Sequence, residues 1–152
     1  MKKLAYTLVG VGLFCCSSAC SQSMTIGQMD NIFKSVSDSV RGDQGRWQIK
    51  YKEIWIYVIT DVNNNRMRII APIAKVDELE EKHFVKSLEA NFHTALDIKY
   101  AISDGLMWSI FVHPLKELTS RQVNDALSQV YSGVTTFGYT YSSGELMFPG
   151  ND

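Results

Sequence analysis

From residue 26 onward the apolar residues fall into two rhythms. Ile26, Met29, Ile32, Phe33, Val36 and Val40 recur every three or four positions, which predicts an amphipathic helix over residues 27–40. Gly42, Asp43, Gln44 and Gly45 read as the loop that ends it. Trp47, Ile49 and Tyr51 alternate with Gln48, Lys50 and Lys52, the period of a strand with one apolar face. Residues 54–60 are dense in β-branched and aromatic side chains and predict a central strand. Asn63, Asn64 and Asn65 make a turn, because asparagine tolerates the left-handed backbone region. Residues 66–71 return as a third strand with Pro72 at its end.

The helical rhythm resumes over residues 78–95, where Leu79, Phe84, Val85, Leu88, Phe92 and Leu96 mark the expected apolar face. Asp77, Glu78, Glu80 and Glu81 sit near its start, where the helix dipole favours negative charge. Residues 98–103 and 106–112 form two more strands around the hairpin dipeptide Asp104-Gly105, and Pro114 stops the second. Thr119 with Gln122 three positions on is a capping box for a third helix, lined by Val123, Leu127, Val130 and Tyr131 and continued by Val134 and Phe137. Residues 138–152, rich in Tyr, Ser and Gly, read as irregular. The expected order is helix, three strands, helix, two strands, helix: an α+β domain with a five-stranded antiparallel sheet covered by helices.

The first twenty residues follow neither rhythm. Lys2 and Lys3 precede an apolar run over residues 4–16, in which only Tyr6 and Thr7 are mildly polar, and Ser17, Ser18 and Ala19 follow it. This is the three-part pattern of an export signal, and the run is shorter than the roughly 20 residues a membrane-spanning helix needs. Ser17-Ser18-Ala19-Cys20 resembles a bacterial lipobox, with Ser17 where Leu, Val or Ala is usual. That reading lipidates Cys20 and holds the protein at a membrane surface facing the periplasm. Ordinary cleavage near Ala19 would instead release a soluble periplasmic protein. Cys15 and Cys16 lie in the segment to be removed, so a lipidated Cys20 leaves the folded part with no thiol and no disulfide. The organisation is then a signal peptide over residues 1–19, a short tether over 20–25 and a single domain over 26–152.

Composition narrows the function classes. The chain is 45% hydrophobic and 20% charged with three prolines, which is globular rather than disordered or collagen-like. Fifteen basic and sixteen acidic residues give a formal charge of −1, so no global field draws it to nucleic acid. From Cys20 onward the chain keeps 133 residues with 13 basic and 16 acidic side chains, enough to build a core without covalent staples.

The order of elements resembles the fold shared by type III secretion chaperones and YbjN-like proteins. Closer still is a group of short bacterial proteins of unassigned biochemistry, over roughly residues 26–148. Asn91-Phe92-His93, Ala95-Leu96-Asp97, Tyr100-Ala101-Ile102, Asp104-Gly105-Leu106, Trp108-Ser109, His113-Pro114-Leu115 and Ser142-Ser143-Gly144-Glu145-Leu146 carry that likeness. Secretion chaperones of this kind are small, acidic, cytosolic dimers that hold an extended stretch of an effector protein. This chain departs from them in its export signal. What the resemblance implies is a non-catalytic, protein-binding scaffold.

Candidate chemistry is sparse. The histidines are His83, His93 and His113; Glu89 and His93 are four apart on one helix face, with Asp97 beyond, and a metal would need a further ligand such as His113. No Gly-rich phosphate loop and no Gly-x-Ser-x-Gly elbow is present. Ser142-Ser143-Gly144-Glu145 places hydroxyls near a carboxylate without a nearby histidine, and Glu80 and Glu81 sit at a helix start, where structural service is expected. Lys50, Lys52, Arg66 and Arg68 near Tyr51 and Trp55 mimic a nucleic-acid platform, but an exported protein rarely meets nucleic acid. The sequence calls for no cofactor and no metal.

The aromatics remain. Residues 54–59 are apolar on both faces, so both need cover: helices on one side, and on the other either the C-terminal tail (Tyr139, Tyr141, Leu146, Met147, Phe148) or a second protomer or partner. Trp47, Trp55 and Trp108 fall on predicted strands, and Trp47, Trp55, Tyr57, Tyr139, Tyr141 and Phe148 are the candidate protein-binding surface. The expectation is an exported, lipid-anchored, non-catalytic binding domain, chaperone-like or adaptor, whose partner is an envelope protein. The alternatives are a small envelope enzyme with dispersed catalytic residues and a passive structural component.

Overall fold

A computed structural model describes residues 23–144. The segment expected to direct export, with Cys20, and the tail residues Glu145, Leu146, Met147 and Phe148 lie outside the described residues. The element order is α1 (Ile26–Val36), β1 (Ser39–Asp43), β2 (Arg46–Tyr51), β3 (Ile54–Asp61), β4 (Arg66–Lys75), α2 (Glu81–His93), β5 (Ile98–Ser103), β6 (Leu106–His113) and α3 (Ser120–Thr135), with a 3-10 turn (Val76–Glu78) before α2. All strand pairs are antiparallel and the sheet order is β1-β2-β3-β4-β6-β5.

The sheet has six strands, not the five expected, because α1 is shorter than its apolar rhythm suggests. Thr25 caps its start in a capping box with Gln28, and the helix closes at Val36. Ser37 turns to extended backbone, and its N–H and hydroxyl both donate to the Phe33 carbonyl. Ser-Asp-Ser over 37–39 competes for backbone groups and favours such a stop. Val40 therefore belongs to β1, in register with Ile49. Gln44 and Gly45, both with positive φ, make the two-residue hairpin between β1 and β2. A side chain at Gly45 would meet the Thr60 hydroxyl 2.2 Å away, so the position also needs the missing Cβ.

Two further boundaries moved. The third strand of the sequence reading runs past Pro72 to Lys75 as β4, because the register between β4 and β6 shifts between Pro72 and Ala74. Irregularities of this kind are where a proline is tolerated inside a sheet. The second helix begins at Glu81, since the acidic 76–78 stretch winds as the 3-10 turn.

Helices α1 and α3 pack on one face of the sheet, and α2 lies against β5. The core between them holds Met29 and Phe33 of α1, Trp47 and Ile49 of β2, Ile56 and Val58 of β3, Met67 and Ile69 of β4, and Val123, Leu127 and Val130 of α3. Every inward residue on β2 to β4 alternates with an outward one, as the pleat requires. Gly133 lets α3 approach the sheet closely: Tyr100 donates its phenol to the Gly133 carbonyl at 3.0 Å, and the buried Ser109 hydroxyl beneath has no hydrogen-bond partner among the described residues. The β5 edge is closed by one side chain. Asn91 of α2 accepts from the Tyr100 N–H (2.7 Å) and donates to the Tyr100 carbonyl (3.1 Å), so its amide pairs with the strand as a neighbouring backbone would.

Candidate functional site

The helices leave the second face of the sheet without cover among the described residues, and antiparallel register assembles that face row by row. One row runs Arg41–Gln48–Tyr57–Ile70–Ile110–Lys99 across all six strands. The row beside it carries Asp43, Arg46, Ile59, Arg68 and Val112. On the other side lie Lys50 opposite Trp55, and Pro72, Trp108 and Ala101. The face is apolar and aromatic through its middle, with cations on its flanks.

Its geometry is grooved. Tyr57 and Trp108 meet edge to face with ring centres 6.4 Å apart, an arrangement aromatic quadrupoles favour. The Trp108 indole N–H donates to the Ser103 carbonyl at 3.0 Å, which fixes the ring over the β5–β6 hairpin. A recess of about 350 Å³ opens among Tyr57, Ile59, Arg68, Ile70, Trp108 and Ile110. A second, of about 230 Å³, opens on the other side of Tyr57 and Ile59, against Arg41, Arg46 and Gln48. The Arg41 guanidinium lies 4.8 Å above the Trp55 ring, a cation–π contact. Lys50 is engaged at 2.7 Å by Glu53, which raises its pKa.

The candidate surface residues separate. Trp55 and Tyr57 lie on this open face. Trp47 does not: it is 3% exposed, sits edge-on to Phe33 at 5.1 Å, and donates its indole N–H to Asp30 at 3.1 Å. Lys34 first and this indole second hold the Asp30 carboxyl below the usual carboxylate range. Tyr141 is also removed from the surface, at 7% exposure, in a cluster with Tyr100, Phe137 and His83, whose Nδ1 is 2.7 Å from the Tyr141 phenol. Burial raises the Tyr100 phenol above its ordinary pKa in this cluster. Tyr139 stands exposed beyond α3, and Phe148 lies outside the described residues. The described part of the tail thus packs on the α2 side rather than over the open sheet face. Trp108, Ile70 and Ile110 complete the face. Their signal in the sequence is the one read at 54–59: β6 is apolar at successive positions, so it too has two faces to cover.

The polar candidates do not converge. His83 is stacked on Phe137, His93 contacts Phe92, and His113 stacks on Phe111. Glu89 pairs with Lys86 at 2.8 Å rather than with His93. Ser142 donates to the Gly144 carbonyl and Ser143 to the Ala95 carbonyl, so both hydroxyls serve the turn. Glu80 pairs with Lys82. Among the described residues no three His, Cys, Asp or Glu side chains gather as a metal site would require. Of the cationic quartet, Lys50, Arg66 and Arg68 belong to the open face. Tyr51 instead packs on Tyr131, with Lys52 above both rings.

Helix α2 turns only part of its expected apolar face inward: Phe84, with Leu79 just before the helix, packs against the core. Its buried residues are Ser87 and Ala90. The apolar row Val85, Leu88 and Phe92 faces outward, at 50%, 70% and 86% exposure. Small residues let the helix sit close to β5, and Asn91 locks it there, so Val85, Leu88 and Phe92 are left on the outer face.

No protein-family model and no curated protein matches the sequence. Solved structures do. A chain of the HopA1–SchA chaperone–effector complex aligns at a TM-score of 0.53 and 12% identity, over 72% of this chain and 95% of that one. A chain of the ExsC–ExsE complex aligns at a TM-score of 0.57 and 14% identity, over 73% and 91%. The fold is type III secretion chaperone-like. At these identities the likeness is one of architecture, so the resemblance to secretion chaperones read from the order of elements holds for the fold.

Proposed function

We propose that this protein is a non-catalytic binding domain, chaperone-like or adaptor in role, that holds an envelope protein on the uncovered face of its sheet. The observation that carries the reading is the grooved apolar face itself. Its aromatics are recessed and ordered, as at protein interfaces, and α1 and α3 occupy only the opposite face. The fold supports it too, since one of its neighbours comes from a chaperone–effector complex. A photo-crosslinker placed at Ile59 in natively expressed protein is expected to capture one discrete polypeptide, and Trp108→Ala to cut that yield about tenfold. Equal capture from Lys34, on the helical side, or none from Ile59, would sink the reading.

Residues 1–20 support export and lipid attachment at Cys20, with the domain held at a membrane surface in the periplasm. Metabolic labelling with an alkynyl fatty acid is expected to mark the wild-type chain and not Cys20→Ala. Absence of label from both would mean a soluble periplasmic protein.

The outward row on α2 supports a homodimer. A second copy laid antiparallel sets Val85 against the partner's Phe92 and Leu88 against the partner's Leu88. The same arrangement brings Lys86 of each copy near the partner's Glu89, so one helix complements itself in charge as well as shape. The chain in mild detergent is expected to scatter light as two copies, and Leu88→Glu, at a position 70% exposed, to halve that mass without unfolding it. A monomeric wild type would refute the arrangement.

A further inference from the structure

We propose that the segment held on the open face is acidic, with two large apolar side chains spaced to enter the two recesses. This rests on the protein-binding reading above and adds the chemistry of the partner. From Cys20 onward the chain carries more acidic than basic side chains, yet three guanidiniums, Arg41, Arg46 and Arg68, and a single carboxylate, Asp104, line the two recesses. None of the three arginines has a carboxylate within ion-pair distance among the described residues. Of the other cations on the face, Lys50 is engaged by Glu53, Lys99 by the Leu96 and Ile98 carbonyls, and Arg66 lies outside both recesses, opposite Asp61. Asp43 stands opposite Arg46 across the hairpin, at the margin of the face.

The three arginines are placed to act together. Arg46, Ile59 and Arg68 share one row, and Arg41 and Tyr57 share the next, so the guanidiniums surround the Tyr57–Ile59 ridge from both sides. Arg41 lies over the Trp55 ring, which orders its fork and leaves its edge donors for a ligand. A planar fork on an apolar floor suits carboxylates, which it grips through paired, charge-assisted hydrogen bonds. The recesses, about 230 and 350 Å³, fall at or below the small end of ligand pockets, about 300 to 1,000 Å³, so each suits a side chain. Their centres are two to three strands apart, roughly 10 to 14 Å, which positions i and i+4 of an extended chain span at about 3.3 Å per residue. An acidic residue between those two positions meets the arginines beside the ridge. A membrane surface suits the face less well. Of its large apolar side chains only Ile59 and Val112 stand exposed among the described residues, while Trp55, Tyr57, Ile70, Trp108 and Ile110 are half-buried, which leaves little protruding apolar surface for insertion into lipid.

The test is a random 16-residue display library panned against the full chain in mild detergent, captured by a C-terminal tag, in parallel with Arg41→Glu/Arg68→Glu and Trp108→Ala. Enriched peptides are expected to be net negative with large apolar residues four apart. They are expected to bind the double-arginine variant at least tenfold more weakly, and binding is expected to weaken as salt rises. Neutral or basic enriched peptides that Trp108→Ala still abolishes overturn the acidic partner while leaving the protein-binding face intact. No enrichment, together with no adduct at Ile59, overturns both. Sedimentation with phosphatidylglycerol vesicles that the arginine variant abolishes, in the absence of enriched peptides, assigns the face to lipid and overturns the proposal.

Discussion

Replacing Trp47 with alanine is expected to lower the unfolding free energy by about 3–5 kcal/mol, the usual loss for a large buried aromatic. Trp55→Ala on the neighbouring strand is expected to cost about 1 kcal/mol or less. The two tryptophans lie on adjacent strands and read alike in sequence, but they point to opposite faces. Trp47 fills the space between α1 and the sheet and ties itself to Asp30 of α1 through its indole N–H. Trp55 lies under Arg41 on the open side. Urea unfolding of both variants checks this, and comparable losses would mean that the faces are wrongly assigned. The acid limb carries a second signature. A carboxyl held below its unfolded pKa stabilises the fold above that unfolded value and loses the contribution as pH falls through the folded one. Trp47→Phe keeps the ring but removes a donor from Asp30, so its loss of stability on acidification is expected to be shallower than wild type.

Gly133→Val is expected to cost about 3 kcal/mol, the upper end for overpacking a well-filled core. A Cβ there would stand 2.3 Å from Ile98 Cδ1 and 2.6 Å from the Ser109 hydroxyl. The damage lies in distance rather than in backbone conformation, because Gly133 sits inside α3. Ile98→Ala opens the space, so the double variant is expected to be at least about 1 kcal/mol more stable than the sum of the single losses. Strict additivity in urea titrations would show that α3 does not rest on the sheet at this point.

Much of this architecture was legible because local and global preferences agreed. The capping box at Thr119 and Gln122 starts α3 as read, and the Asp104-Gly105 turn joins β5 to β6 with both residues at positive φ. Where the reading failed, tertiary contacts overrode a local period. Val40 continues the spacing of α1, yet pairing with Ile49 places it in a strand. Leu88 and Phe92 have the spacing of a buried helical face, and periodicity alone does not distinguish a face buried in its own core from one left outward. Of the candidate surface, Trp55 and Tyr57 lie on the open face, while Trp47 and Tyr141 are buried. Strand alternation says which residues share a face, but not which face the helices will choose. The recesses, and the arginines that flank them, come from register across β1, β2, β3, β4 and β6, which no single segment encodes.

The closure of β5 by Asn91 has a consequence for solubility. A sheet with two bare edges can accept a copy of itself at each, and pairing of unlike edges does not close on itself, so it grows as a filament. Here the amide of one side chain already occupies the donor and acceptor of Tyr100 in the middle of β5, so an incoming strand cannot pair along the whole of that edge. Head-to-tail stacking of these domains is thereby hindered at one end, and Asn91 guards the protein against fibre growth at high local concentration.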